Sequence, residues 1–145
     1  IMRLIGGEFE SQSKINRQLC HHLWPNGIKC CATTKWKEKS RCGIRWWQQN
    51  VSAVVTHRTS DWSVVQLPDA PRSLWIKAVR RLDAVEIFFS RDDKEYTMIR
   101  TCWLQDNCPV MVGLMGACPD GKGFTATFEE FKVTPLADQT ETGMG

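Results

Sequence analysis

From Val51 to Pro135 the apolar and polar positions alternate in short runs, and turn residues separate the runs at fairly regular intervals. The runs are Val51 to His57, Trp62 to Leu67, Leu74 to Arg81, Val85 to Phe89, Tyr96 to Trp103, Pro109 to Cys118 and Phe124 to Val133. A period of two with Gly, Pro, Asp and Asn clusters between the runs predicts antiparallel strands in sheets packed face to face. In the strand after Pro71, Leu74, Ile76 and Ala78 share one face, and Trp75, Lys77, Val79 and Arg81 the other. A tight turn at Arg81-Leu82-Asp83-Ala84 leads into Val85, Ile87 and Phe89, which point inward again. The next turn contains Asp92 and Asp93, whose carboxylates suit bonding to nearby backbone amides. Residues 74–102 therefore read as a meander of two hairpins.

Two features break the pattern. Gly113 and Gly116 inside the strand from Val110 to Ala117 predict a bend or a close backbone approach. In the last strand Phe124, Ala126 and Phe128 share a face, while Phe131 and Val133 fall on the other, so a β-bulge near Glu129-Glu130 is expected to restore the inward face. Upstream, Glu8 to Ile15 has a strand rhythm. Residues 17–50 have no period of two or of 3.6, although they hold four of the seven cysteines and four of the seven tryptophans. Leu136 to Gly145 is polar and Thr- and Gly-rich, and is expected to be a disordered tail.

Length and composition narrow the class. A chain of 145 residues is enough for one domain with its own core. The expected division is a single β-sandwich over 1–135, atypical over 17–50, and a tail over 136–145. No apolar run approaches the roughly 18 residues of a membrane helix, so no membrane partner is expected. The opening Ile1 to Gly7 is too short for a signal peptide, and its first residue marks the chain as a candidate fragment.

Residues 1–50 carry nine Lys/Arg against three Asp/Glu, and residues 51–145 ten against thirteen, which splits the net +3 into +6 and −3. No nucleic-acid motif accompanies the basic third, and the acidic remainder repels phosphate. No nucleic-acid partner is expected. The seven cysteines are Cys20, Cys30, Cys31, Cys42, Cys102, Cys108 and Cys118. An odd count without a secretory signal predicts reduced thiols and a cytoplasmic location. Cys20-His21-His22, Cys30-Cys31 and Cys42 lack standard zinc spacing, so neither a metal nor any other cofactor is expected.

Candidate chemistry is sparse. Trp62, in Ser60-Asp61-Trp62-Ser63, is suited to stacking on a sugar ring, with Asp61 and Ser60 bonding its hydroxyls. The plainer reading is that Trp62 alternates with Val64 and fills the core. His57 shares a strand face with Val51, Ala53 and Val55, and reads more simply as a histidine at a strand end than as a ligand contact. Arg80 and Arg58 have the fork for a carboxylate or phosphate, though solvated arginines at a sheet edge are commoner. Glycoside hydrolysis needs two carboxyl groups roughly 5–9.5 Å apart. Glu129 and Glu130 are adjacent and point to opposite faces of a regular strand, and Asp92 and Asp93 sit in a turn. No nucleophile elbow or phosphate loop is present, so the chain is not expected to be an enzyme.

Gly6-Gly7-Glu8-Phe9-Glu10, Ser52-Ala53-Val54-Val55-Thr56, Ser60-Asp61-Trp62-Ser63, Ser90-x-Asp92-Asp93-Lys94-Glu95-Tyr96 and Gly123-Phe124-x-Ala126-x-Phe128-x-x-Phe131 occur in that order. Together they resemble the regulation of enolase protein family, an uncharacterised domain family in the concanavalin A-like lectin/glucanase superfamily. The resemblance covers residues 51–134 well and 6–15 weakly. It implies an all-β, concanavalin A-like jelly-roll sandwich of two antiparallel sheets, an intracellular setting and no established reaction.

Between residues 17 and 49 the family pattern calls for two strands, of which Lys35-Trp36-Lys37 is the recognisable remnant. Arg41 to Trp47 can be spelled CGG TGT GGA ATT CGA TGG TGG, which one base later reads Gly-Val-Glu-Phe-Asp-Gly, close to the expected strand and turn. A disrupted reading frame is therefore expected there, with a divergent insert as the alternative, and the sandwich is expected to be incomplete on its N-terminal side. The function expected is a non-enzymatic binding or regulatory module whose partner is a carbohydrate or a protein. The alternatives are a glycan-acting enzyme and a protein-interaction scaffold with no small ligand.

Overall fold

The computed structural model of the chain describes residues 2–17, 26–34, 38–47, 50–57, 59–69, 71–104, 109–116 and 126–136. Eleven strands run β1 (Met2–Ile5), β2 (Phe9–Arg17), β3 (Asn26–Thr34), β4 (Glu38–Trp47), β5 (Asn50–Thr56) and β6 (Ser60–Gln66). They continue as β7 (Ser73–Arg81), β8 (Ala84–Ser90), β9 (Thr97–Trp103), β10 (Val110–Gly116) and β11 (Ala126–Pro135). A six-stranded sheet has the order β1-β10-β3-β4-β5-β6, and a five-stranded sheet the order β11-β2-β7-β8-β9. Every pairing is antiparallel. The all-β, two-sheet sandwich read from the alternation is the architecture observed.

The two sheets close over one interior. Phe9 and Ile15 of β2, Val51, Ala53 and Val55 of β5, Leu74, Ile76 and Ala78 of β7, and Val85, Ile87 and Phe89 of β8 pack there with Leu67, Cys102, Leu104, Val110 and Val112. Burial of each large side chain contributes roughly 1.5–3 kcal/mol. The inward faces read from the sequence for β7 and β8 are those observed. Strand β5 is buried on both faces from Val51 to Val55.

The bulge expected near Glu129-Glu130 is present. The register of β11 on β2 shifts between Glu129 and Lys132, and Glu130 takes a left-handed φ of 54°. The extra residue lets both Phe128 and Val133 pack against the core, although an odd spacing of five separates them. Phe131 stays half-buried. The buried Ser13 hydroxyl donates to the carbonyl of Glu129 at 3.0 Å and so satisfies an acceptor that the bulge frees. The acidic turn also forms as expected: Asp92 Oδ1 accepts the backbone amides of Lys94 and Glu95 at 2.9 and 3.1 Å.

Three strands depart from the sequence reading. β1 is four residues long, too short to show a period. β3 and β4 fall in the stretch without strand rhythm, and they occupy the centre of the six-stranded sheet. The expectation of a sandwich lacking strands there is corrected: β4 pairs with β3 along nine residues and with β5 along seven. Gly113 sits in regular register between Met2 and Lys29. Residues 137–145, expected to form a disordered tail, lie outside the described residues, as does Arg58.

Candidate functional site

Strand β6 closes one edge of the six-stranded sheet and pairs with β5 over seven residues without a shift. Because Val51, Ala53 and Val55 point into the core, their cross-strand partners Val65, Ser63 and Asp61 take the inner face. The outer face then carries the pairs Thr56–Ser60, Val54–Trp62, Ser52–Val64 and Asn50–Gln66. Trp62 is 53% exposed and Val64 49%. Trp62 therefore does not fill the core, and the simpler sequence reading of it is corrected. Its indole lies on an open sheet face beside buried Val54.

Hydroxyl groups border this aromatic position. Thr56 Oγ1 and Ser60 Oγ are 2.9 Å apart on the same face. Ser52 is fully buried there, and its hydroxyl is the buried side-chain oxygen among the described residues with no hydrogen-bond partner. Such a group carries a desolvation cost of roughly 1–3 kcal/mol.

Asp61 does not join Trp62. Alternation along β6 turns it to the inner side of the sandwich rim, where the facing edge strand β9 supplies Arg100. The Arg100 guanidinium donates to Asp61 Oδ2 at 2.6 Å and to Ser63 Oγ at 3.2 Å. One arginine thus clasps the two edge strands across the gap between the sheets. The sequence reading missed Arg100. Its signal is its position two residues before the inward-facing Cys102 on β9, which places a cation inside the rim.

His57 lies just past the end of β5, exposed, with its ring centroid 5.3 Å from that of Trp103 in a tilted contact. This is the strand-end position expected, not a place on the Trp62 face. Arg80 is corrected outright. It is on the inward face of β7, between Phe9 and Val85, and is 2% exposed. Its Nε donates to the carbonyl of Leu82 at 3.2 Å. The outer face of the five-stranded sheet is occupied by its own contacts: Lys77 Nζ sits 3.8 Å from the Tyr96 ring centroid, and the Tyr96 hydroxyl donates to Asp93 at 2.5 Å.

The Arg100 hydrogen bond and charge hold Asp61 below the usual carboxylate range. A hydrogen bond from Arg91 does the same for Asp69, the backbone amides of Lys94 and Glu95 for Asp92, and Asn16 and Lys14 for Glu129. A carboxylate whose folded pKa is depressed stabilises the fold above its unfolded pKa of roughly 4, and that contribution is lost as the pH falls through the lower folded value. Stability is thus expected to decline from about pH 4 downward on account of these groups. Urea midpoints measured in acid should fall less steeply for Asp61→Asn than for the parent chain. An identical acid slope in both would remove Asp61 from the linkage.

Comparison with known proteins agrees with this architecture. The profile of a family described as "Protein of unknown function (DUF1349)" matches residues 34–136. "Regulation of enolase protein 1" from Saccharomyces cerevisiae is 27% identical over 84 residues, which is 58% of this chain and 42% of that protein. The chain thus spans less than half the length of that curated relative. A functionally unknown protein from Saccharomyces cerevisiae superimposes with a TM-score of 0.78 at 21% identity, covering 94% of this chain and 74% of the other. The GH43 protein BlXynB from Bacillus licheniformis superimposes with a TM-score of 0.67 at 14% identity, covering 89% of this chain and 28% of the other. The two structural likenesses show a shared sandwich fold.

Proposed function

The chain belongs to the DUF1349 family, whose description assigns no activity, and from that premise we propose that it is a non-enzymatic module binding carbohydrate on the outer face of its six-stranded sheet. The observation that carries this reading is the 53% exposure of Trp62 on a regular strand. Strand placement holds the indole at low entropic cost, and an apolar platform with a few polar neighbours is the usual composition of a small-ligand site. Trp62 and Val64 offer the apolar faces to a sugar ring, and Ser60 and Thr56 its hydroxyl partners. His57 and Arg80 are not part of this site, and Asp61 serves it by fixing β6 against β9.

Non-enzymatic binding is favoured over glycan cleavage by four carboxylates among the described residues. A glycosidase general acid needs a raised pKa, whereas Asp61, Asp69, Asp92 and Glu129 are all lowered. A cytoplasmic setting is part of the proposal, supported by the odd number of cysteines, seven. A regulatory role in sugar metabolism, suggested by the name of the curated relative, fits a module that reads sugars or sugar phosphates.

The test is a thermal-shift screen of monosaccharides, oligosaccharides and sugar phosphates. A ligand at a hundred times its Kd adds about 2.7 kcal/mol, which for a chain of this size raises Tm by roughly 5–10 °C. Trp62→Ala is expected to abolish the shift and Trp62→Phe to retain part of it. A shift that survives Trp62→Ala, or a panel without any shift, would overturn the proposal.

A further inference from the structure

The two sheets have four edges: β1 and β6 in one, β11 and β9 in the other. An open edge offers unpaired backbone groups to any other strand, and proteins blunt their edges with short strands, bulges, prolines or charges. Three of the four edges here are blunted. β1 has four residues. β9 carries a bulge, with its register on β8 shifting between Ile87 and Phe88. β11 carries the Glu129–Lys132 bulge and ends in Pro135. β6 lacks the short length, the bulge and the proline: it is seven residues long, in unbroken register, and contains neither Pro nor Lys. Its single charge, Asp61, is neutralised by Arg100 at 2.6 Å. Among the described residues no strand pairs with its outer edge.

The geometry points to β6 as a homodimer interface, in which β6 of a second copy adds antiparallel to it about a two-fold axis through Ser63. The argument is one of register. Pairing Ser63 with Ser63 of the second copy sets Trp62 opposite Val64 of that copy, and Val64 opposite its Trp62. Both contacts are aromatic–β-branched pairs on the outer face, a favourable cross-strand combination. The half-exposed Trp62 and Val64 thereby cover one another in a self-complementary patch, as a two-fold interface requires. In the same register Asp61 faces Val65 of the second copy, so the like charges of the two Asp61 residues are not opposed. The outcome is one twelve-stranded sheet with two Trp62 side chains beside its centre. The pairing needs no ligand, but it engages the same Trp62 and Val64 as the sugar reading, so the dimer and a sugar stacked on Trp62 compete for one face.

Sedimentation equilibrium of the full chain without sugar tests it. The expected mass at high concentration is twice the 16.6 kDa of the chain. Val64→Lys puts a lysine at both central contacts and is expected to give a monomer with unchanged far-UV circular dichroism. Leu4→Lys, on the opposite edge of the same sheet, is expected to leave the dimer intact. A chain that stays at 16.6 kDa throughout, including one that instead binds an extended apolar peptide, overturns the proposal. So does a dimer that persists in Val64→Lys, or one that dissociates in Leu4→Lys.

Discussion

Phe9→Ala is expected to destabilise the chain by about 3–5 kcal/mol, which lowers Tm by roughly 10 °C in a domain of this length. Phe9 is the first residue of β2, and its side chain is fully buried. It pairs with Arg80 on one side and Pro135 on the other, so three strands of the five-stranded sheet meet around it. Replacing the ring with a methyl group removes its transfer free energy and leaves a cavity that flanking strands cannot close without losing their hydrogen bonds. Urea unfolding followed by far-UV circular dichroism measures the change. A loss below about 1 kcal/mol is the size seen at surface positions, and it would mean that the two layers do not close over Phe9.

The strands legible in the sequence are those with a short apolar rhythm bounded by turn residues. β7 and β8 carry core residues at every second position, Leu74, Ile76 and Ala78 and then Val85, Ile87 and Phe89, and the Phe128–Val133 spacing betrays a bulge because two inward residues an odd number apart cannot share a regular strand. β3 and β4 are sequence-silent for the complementary reason. They sit at the centre of a sheet and carry cysteines, glycines and a charge run instead of an apolar rhythm, so no face is marked in their sequence even though β4 pairs with its chain neighbours β3 and β5. The site was legible to the same extent. Trp62 stood out by residue type, whereas Asp61, expected beside it at one sugar, lies on the opposite face of β6. What no local pattern contains is that β6 and β9 are stacked edges, which is the fact that gives Asp61 its partner in Arg100. Arg80 alternates inward with Leu74, Ile76 and Ala78, against the usual habit of arginine at a sheet edge.

Arg80→Ala is therefore expected to behave as a core substitution and not as a site substitution. The side chain is among the largest fully buried ones in the chain. Its aliphatic stem packs along the inward face of β7, and its guanidinium reaches the carbonyl of Leu82 in the β7–β8 turn. Truncation removes packing comparable to a large-to-small core change and takes a donor from that turn, for an expected loss of about 2–5 kcal/mol. Arg80→Lys keeps the charge but not the planar fork, so an intermediate loss is expected. Because Arg80 directly pairs with Phe9, the double variant should lose less than the sum of the two single changes. Sugar affinity measured well below Tm should be unchanged in Arg80→Ala, since Trp62 lies on the outer face of the other sheet. Urea unfolding and a sugar titration on the same sample separate the two roles. Weakened binding with unaltered stability would return Arg80 to the ligand site.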